Sequence, residues 1–311
     1  LGRVVRNQYG SIEAVVEEKE AQDETLSINE INVGVYCFQV PWVWSALEAL
    51  KPSSNGEFYI TDLVALASAQ ELTIESIESK DPNEVRGVNN RVELSELELV
   101  VRERILHDWM LKGVTIIDPR TTYIDHGVEI GRDTIVYPNS HIRKGSRIGS
   151  QCVLGPDSTI ANSILGDFCE VNSSIIEDAE LHNRVEVGPF SHIRKGTLLE
   201  DNVRIGNYTE IKNSHLGKGT KSGHFSYLGD ADIGTNVNIG AGTVTCNYDG
   251  KNKHRTVIED EAFIGCDTML VAPVSIGKRA FTGTGSVVTK DVPDDSKAIG
   301  SPARVLRGGR S

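Results

Sequence analysis

Cysteine is sparse in this chain and poorly placed for any chemistry that needs it in pairs. Cys37, Cys152, Cys169, Cys246 and Cys266 lie far apart and form no C-x-x-C pair, which argues against a disulfide framework and against a zinc ribbon. A reducing cytoplasm fits such usage best. Basic residues are the minority charge, 32 against 44 acidic, for a net of −12. A surface of that sign repels nucleic acid and anionic membrane, so neither is an expected partner, and a phosphorylated ligand must be met by a local basic cluster. Long apolar runs are missing too: the chain is 39% hydrophobic, enough for a core, without the stretch of roughly 20 apolar residues that a spanning helix needs. The opening Leu1-Gly-Arg-Val-Val-Arg shows neither an initiator Met nor the charged-then-apolar order of a signal peptide. The chain is therefore expected to be cut from something longer.

What the sequence does have is a six-residue beat of aliphatic side chains. Ile124, Ile130, Val136, Ile142, Ile148, Leu154 and Ile160 keep it first; Leu181, Val187, Ile193, Leu199, Ile205 and Ile211 resume it; Ile258, Ile264, Leu270, Ile276, Thr282 and Val288 keep it again. On an α-helix every sixth residue advances by about 600°, which scatters these side chains, whereas a coil of short strands and turns stacks them in an interior column. The period predicts a β-solenoid. Its unit reads aliphatic, Gly, any, any, small, any, as in Ile130-Gly-Arg-Asp-Thr-Ile and Ile239-Gly-Ala-Gly-Thr-Val. The Gly is expected to permit tight or positive-φ backbone, and the small residue to fit beneath the corner.

Four segments follow from this pattern. Residues 1–89 alternate β-rich stretches (Ser11 to Val16, Ile31 to Phe38) with helical ones (Trp42 to Leu50, Thr61 to Ala69), an α/β alternation too short for a complete domain. Residues 90–113 read as a connecting helix: Val92, Leu97, Val101, Ile105 and Trp109 recur at helical spacing, and Gly113 stands at the stop. The solenoid is expected over 114–300, and 301–311 form a basic tail with Arg304, Arg307 and Arg310.

The beat slips near Ile176 and Leu216 and breaks fully between Cys246 and Val257. Such breaks mark loops, often on the binding face. This one reads Cys246-Asn-Tyr-Asp-Gly-Lys-Asn-Lys-His-Arg, a turn signal with cations after it. Upstream, Arg194, Lys212, His224 and Tyr227 fall on successive coils. Each cation taken alone is best read as solvated surface charge, and a lone histidine is more often structural than catalytic. Stacking would bring them together.

Gly217-Lys-Gly-Thr-Lys-Ser-Gly-His-Phe-Ser-Tyr-Leu-Gly-Asp-Ala-Asp-Ile-Gly and Asn236-Val-Asn-Ile-Gly-Ala-Gly-Thr-Val-Thr-Cys-Asn-Tyr-Asp-Gly-Lys-Asn-Lys resemble the bifunctional N-acetylglucosamine-1-phosphate uridylyltransferase/glucosamine-1-phosphate N-acetyltransferase family of bacterial cell-wall precursor synthesis. The resemblance to its acetyltransferase part covers most of Val88 to Pro302. It implies a left-handed parallel β-helix of hexapeptide repeats, assembled as a cytoplasmic homotrimer with sites at subunit interfaces. It further implies His224 as the base that frees the amine of glucosamine 1-phosphate for attack on acetyl-CoA, because an ammonium has no lone pair. Arg194, Lys212 and Lys253 would hold the phosphate, with Tyr227 and Asn238 on the sugar. Ala241, Asn247, Tyr248, Cys266 and Thr284 would contact acetyl-CoA, and backbone donors there would stabilise the oxyanion. His254, beside Lys253, reads as a surface residue. Two positions depart from the family. Cys266 stands where relatives commonly carry serine, and a thiol donates a weaker hydrogen bond. Ser301 stands where some carry an arginine, for which Arg304 is the expected substitute at a CoA phosphate.

The first 89 residues resemble the last part of the family's uridylyltransferase domain, which implies a partial α/β nucleotidyltransferase domain. Glu17 and Asn32 match sugar-nucleotide contacts, Gly56-Glu-Phe-Tyr-Ile-Thr-Asp is a family signature, and Asn89 matches a Mg²⁺ ligand. The family's glycine-rich nucleotide loop has no counterpart in the chain; Gly283-Thr-Gly-Ser sits within the repeats. Uridylyl transfer is therefore expected to be lost. Two other readings stand beside the transferase: an inert trimerising or regulatory module, and a solenoid metalloenzyme of the γ carbonic anhydrase type using His182, His192 and His215.

Overall fold

The computed structural model describes residues 2–53 and 56–306, so Arg307 and Arg310 of the expected tail lie outside the described residues. The chain forms two units, Leu1–Leu97 and Glu98–Ser311. No helix among the described residues is long and apolar enough to cross a membrane.

The first unit is built on one antiparallel pair, Arg3–Arg6 with Ile12–Val16. The turn between them is held by Asn7, whose side-chain oxygen accepts from the Tyr9 and Ser11 N–H groups. Helix Asp62–Ala69 lays Leu63, Val64 and Ala67 against the second strand, and these join Val15 and Ala46 as the buried apolar residues. Ile31 to Phe38 forms no strand, contrary to its composition; only Ile31 bridges Arg3. Gly34 takes φ +82 and donates to the Asn32 side chain, so a local turn replaces the ladder.

The second unit is a parallel β-solenoid with three faces. Among the described residues, face one carries 12 strands, from Thr115–Ile116 to Ala303–Leu306; face two carries 10, from Tyr123–Ile124 to Val287–Val288; face three carries nine, from Glu129–Ile130 to Val274–Ile276. The six-residue beat visits the faces in turn, and three beats close a coil, as where Ile124 pairs with Ile142, 18 residues on. Three interior columns result, not one. Every side chain in the beat is buried, and each large aliphatic so buried contributes about 1.5–3 kcal/mol. Five-residue steps from Ile160 to Leu165, Val171 to Ile176 and Ile211 to Leu216 keep the columns in line where the spacing slips. At the N-terminal end, Leu106 of helix Arg91–Leu111 is buried in the same core with Ile105 and Trp109 packed on it, and the helix stops at Gly113, φ +94.

The glycine after each aliphatic is required for a different reason than the repeat suggests. At Gly131, Gly149 and Gly206 it does not take positive φ, although Gly155 and Gly188 do; a Cβ on Gly206 would stand 2.0 Å from the Gly223 carbonyl oxygen of the next coil. Close stacking excludes the side chain there. Positive φ falls two residues later, on Asp133, Asn139 and Gly145 among others. The C-terminal segment also differs from a plain tail: Ala303–Leu306 turns back antiparallel on Lys297–Gly300 and puts Arg304 opposite Ile299.

Two stability outcomes follow. Ile205→Ala should cost about 2–5 kcal/mol in a denaturant titration. Gly206→Ala should lower the midpoint sharply, while Gly223→Ala, with nothing within 4 Å of its Cβ, should leave it almost unchanged; equal effects would contradict the stacking explanation.

Candidate functional site

Register decides which outward residues meet. Lys221 pairs with Asn238, Asn238 with Phe263, and Phe263 with Phe281. Three residues on from each, His224, Ala241, Cys266 and Thr284 therefore stack in one column at the corner between faces one and two. Phe281 pairs in turn with Lys297, so the column runs on to Gly300, at the turn of the hairpin bearing Arg304. His224 is exposed, and its carbonyl accepts from the Thr209 and Ser226 hydroxyls. Along the column, the Ala241 and Cys266 carbonyls accept from Asp267 and Gly285 of the next coil at 2.6 and 2.8 Å. Among the described residues, the N–H groups of Ala241, Cys266 and Thr284 have no acceptor. The column thus holds backbone N–H groups without an acceptor among the described residues, beside a histidine.

The cations gather at the other end of face two, at its corner with face three. Arg194 and Lys212 follow the buried Ile193 and Ile211, which pair coil to coil, and Lys212 pairs with Gly229. The loop leaves from strand Val244–Cys246 on face two and returns into Thr256–Ile258 on face three, at this same corner. A tight turn shapes it: Asp249 accepts from the Lys251 and Asn252 N–H groups at 2.7 Å each and pairs with His254 at 2.7 Å. These contacts, the Asn252 N–H first, hold the Asp249 carboxyl well below the usual carboxylate range. Tyr248 bridges Lys253 across the loop. The Lys253 side chain lies beside that of Lys212; the neighbouring Lys253 amine and its charge hold the Lys212 ammonium below the ordinary lysine range, with Arg194 adding to the effect.

Tyr227 lies on face two between the corners, half-buried, within electrostatic reach of Lys253. Its ring lies over Gly229, where a Cβ would stand 2.4 Å from the phenol oxygen. Sequence reasoning missed that glycine, and with it Asp230 and Asn213. Asp230 is 6% exposed and accepts from Asn213 Nδ2 at 2.6 Å and Asn247 Nδ2 at 2.5 Å. Burial works to raise its carboxyl, but the two asparagine bonds, with Lys253 and Lys212, outweigh burial and hold it below the usual range. The Leu228-Gly229-Asp230 run carried the signal: an acid beside a glycine in the coil that precedes the loop.

Not every expected residue joins this group. Asn238 lies on face one, in a groove of about 500 Å³ with Phe263 and Arg279, away from the cations within this chain. Asn247 is buried, its amide committed to Asp230, while Tyr248 is exposed and donates to the Gly250 carbonyl. His192 pairs with Glu177 at 3.0 Å, His215 with Glu200 at 2.8 Å, and His182 approaches Glu180 at 3.3 Å. Among the described residues no group of three or more His, Cys, Asp or Glu could hold a metal ion.

In the first unit, Asn32 donates to the Tyr36 hydroxyl at 2.7 Å, and Tyr36 feels the Glu17 charge; Glu17 accepts from Thr61 at 3.2 Å. Glu17 and Asn32 therefore share one neighbourhood, beside a groove of about 590 Å³ that Glu17 lines with Lys19 and Tyr59. Asn89 has its amide N–H₂ on Glu93 at 3.2 Å. Mg²⁺ demands near-octahedral oxygen coordination, and Asn89 with one neighbouring carboxylate does not supply that set by itself.

Comparison with known proteins gives this arrangement relatives. Residues 127–162 match the model of the bacterial transferase hexapeptide (six repeats), and residues 255–290 match the hexapeptide repeat of succinyl-transferase. The bifunctional protein GlmU of Carboxydothermus hydrogenoformans is 47% identical over 305 residues, 98% of this chain and 68% of that protein. The GlmU of Exiguobacterium sibiricum is 46% identical over 299 residues, covering 96% of this chain and 67% of the relative. That of a Geobacillus species is 45% identical over 305 residues, 98% and 66% respectively. The chain thus spans about two thirds of the length of these relatives. An Arabidopsis UDP-N-acetylglucosamine acyltransferase structure aligns over 62% of this chain and 72% of its own at 18% identity, with a TM-score of 0.41, too low to bear on the fold.

An anion placed between Lys212 and Lys253 relieves their repulsion and favours the protonated pair. Binding of inorganic phosphate, followed by calorimetry, should therefore weaken as pH rises through the lowered Lys212 pKa, and Lys212→Gln should abolish that alkaline limb. Binding that stays constant with pH across the alkaline range would contradict this.

Proposed function

Because the chain belongs to the family of the bifunctional GlmU proteins, we propose that it transfers the acetyl group of acetyl-CoA to the amine of glucosamine 1-phosphate, on a route to UDP-N-acetylglucosamine. One observation carries the reading. The cations Arg194, Lys212 and Lys253 gather at one corner of face two, and His224 heads a column of N–H groups without an acceptor among the described residues at the other. Gly229 follows His224 by five residues, a span of at most about 17 Å. A sugar phosphate laid across Tyr227, with long cationic side chains reaching inward, bridges that gap.

The chemistry follows in balanced steps. One proton of the ammonium is lost to solvent; the neutral amine's lone pair then attacks the thioester carbonyl, the C=O pair moves onto oxygen, and His224 takes the proton that the bonded nitrogen sheds. N–H donors such as that of Ala241 stabilise the oxyanion in a site of fixed dipoles. Collapse breaks the C–S bond, CoA leaves as thiolate, and the His224 proton returns to sulfur. The acetyl-CoA body would lie along Ala241, Cys266 and Thr284 toward Gly300, with Tyr248 at the loop and Arg304 in the hairpin available for a CoA phosphate. Asn247, buried on Asp230, would act on acetyl-CoA only through the loop it anchors.

The position of Asn238 on another face supports a homotrimer, in which a neighbouring protomer brings this residue to the sugar. Light scattering should then report about three times 33.9 kDa. We propose separately that this chain alone does not transfer uridylyl, since Glu17, Asn32 and Asn89 are not accompanied by a glycine-rich phosphate cradle; pyrophosphate release from UTP would overturn that.

Thiol release from acetyl-CoA should depend on glucosamine 1-phosphate, and His224→Ala should lower kcat by about 10²–10⁴-fold while the phosphate still binds. Full activity in His224→Ala would remove it as the base. No sugar-dependent thiol from the unaltered protein would favour the inert module.

A further inference from the structure

We propose that Asp230 is the positioning residue of the phosphate corner: its buried carboxylate ties Asn213, next to Lys212, to Asn247, at the root of the loop that carries Lys253. Both carboxylate oxygens are taken, Oδ1 by Asn213 and Oδ2 by Asn247, so Asp230 acts through its neighbours and does not touch the ligand. Its backbone joins the same parts: the Asp230 N–H donates to the Lys212 carbonyl at 3.0 Å, and its carbonyl accepts from Thr256, where the loop rejoins the solenoid, at 3.1 Å. From Asn247 the connection runs into the loop, since the Asn247 carbonyl accepts from the His254 N–H at 2.8 Å, one residue past Lys253.

A plainer role has to be set against this. Asparagine-to-aspartate bonds recur between coils, as Asn139 to Asp157 at 2.9 Å and Asn162 to Asp178 at 2.5 Å, and Asp230 could be one more rung. It differs from both in using its second oxygen on a loop residue and in facing cations: Lys212 and Lys253 act on it, and it acts on Arg255. Two ammonium groups held together without a ligand repel. A fixed anion behind them, hydrogen-bonded so that it cannot swing out to pair with either lysine, leaves both available to an incoming phosphate. Asp230 at φ 51 is also one of the few residue types that holds such backbone readily.

The kinetic test rests on the acetyltransferase reading; the binding test does not. In the full chain, Asp230→Asn keeps shape but loses the charge and one amide bond. It should raise the KM for glucosamine 1-phosphate and the Kd for inorganic phosphate about tenfold, the scale of a bond to a charged group, with kcat within about threefold. Added to Lys253→Ala, the same change should cost less than it does in the unaltered chain, because one of the two lysines it positions is already gone. A merely structural rung predicts the opposite: lower thermal stability, kcat and both KM values worsening together, and an undiminished penalty in the Lys253→Ala background. If the unaltered chain transfers no acetyl group, the acetyltransferase reading fails alone, and phosphate titration still decides: tighter binding than in Asp230→Asn supports the role, and equal or absent binding overturns it. Should Asp230→Asn not fold, Asn247→Ala cuts only the loop tether; a similar rise in phosphate Kd supports the role and an unchanged Kd overturns it.

Discussion

Coil-to-coil registry is the constraint from which everything else in this molecule follows. Parallel strands of two to four residues cannot stand alone; each is held by backbone bonds to the coil on either side and by an aliphatic column beneath it. Once Ile193, Ile211 and Leu228 are locked in line, the outward residues beside them have no freedom to be elsewhere. A glycine at the close-approach position keeps the coils near enough for that bonding. The site is a consequence of stacking, with one loop added.

That loop resolves a problem of charge. The chain is acidic by 12 charges, so a phosphorylated ligand would meet overall repulsion, yet Lys212 and Lys253 stand together at one corner, with Arg194, paired to Glu210, nearby. Bringing Lys253 to Lys212 opposes itself electrostatically, as the lowered Lys212 ammonium records. Asp230 lies beneath the lysines with a charge opposite to theirs. In the proposed reaction distance would divide the labour across face two, with charge at one corner and proton transfer and carbonyl polarisation at the other.

The periodic part of this fold was legible in the sequence because period and burial are the same fact in a solenoid. The reason for the glycine was not, since the crowding that excludes a side chain at Gly131 comes from Gly149 and Ser150 of the next coil, which one dimension does not bring beside it. Ile31 to Phe38 was misread as β because its composition hid the turn at Gly34. The family resemblance singled out His224, Lys212, Lys253 and Arg194 as candidates, and the structure brings the last three to one corner. Asp230 was not among them, because an acid was not sought among cations and its two asparagine partners lie 17 residues to either side. Asn238 shows the complementary limit: register places it on another face, away from the cations of the same chain.

The central claim is spatial: phosphate at the corner of Lys212 and Lys253, and the amine toward His224. A crystal structure of the chain with glucosamine 1-phosphate tests it most directly. The account predicts the phosphate oxygens within hydrogen-bond distance of both lysine Nζ atoms and of the Arg194 guanidinium, with the sugar lying over Tyr227 and its nitrogen facing the imidazole. A phosphate bound elsewhere on the solenoid, or an amine directed away from His224, would contradict it.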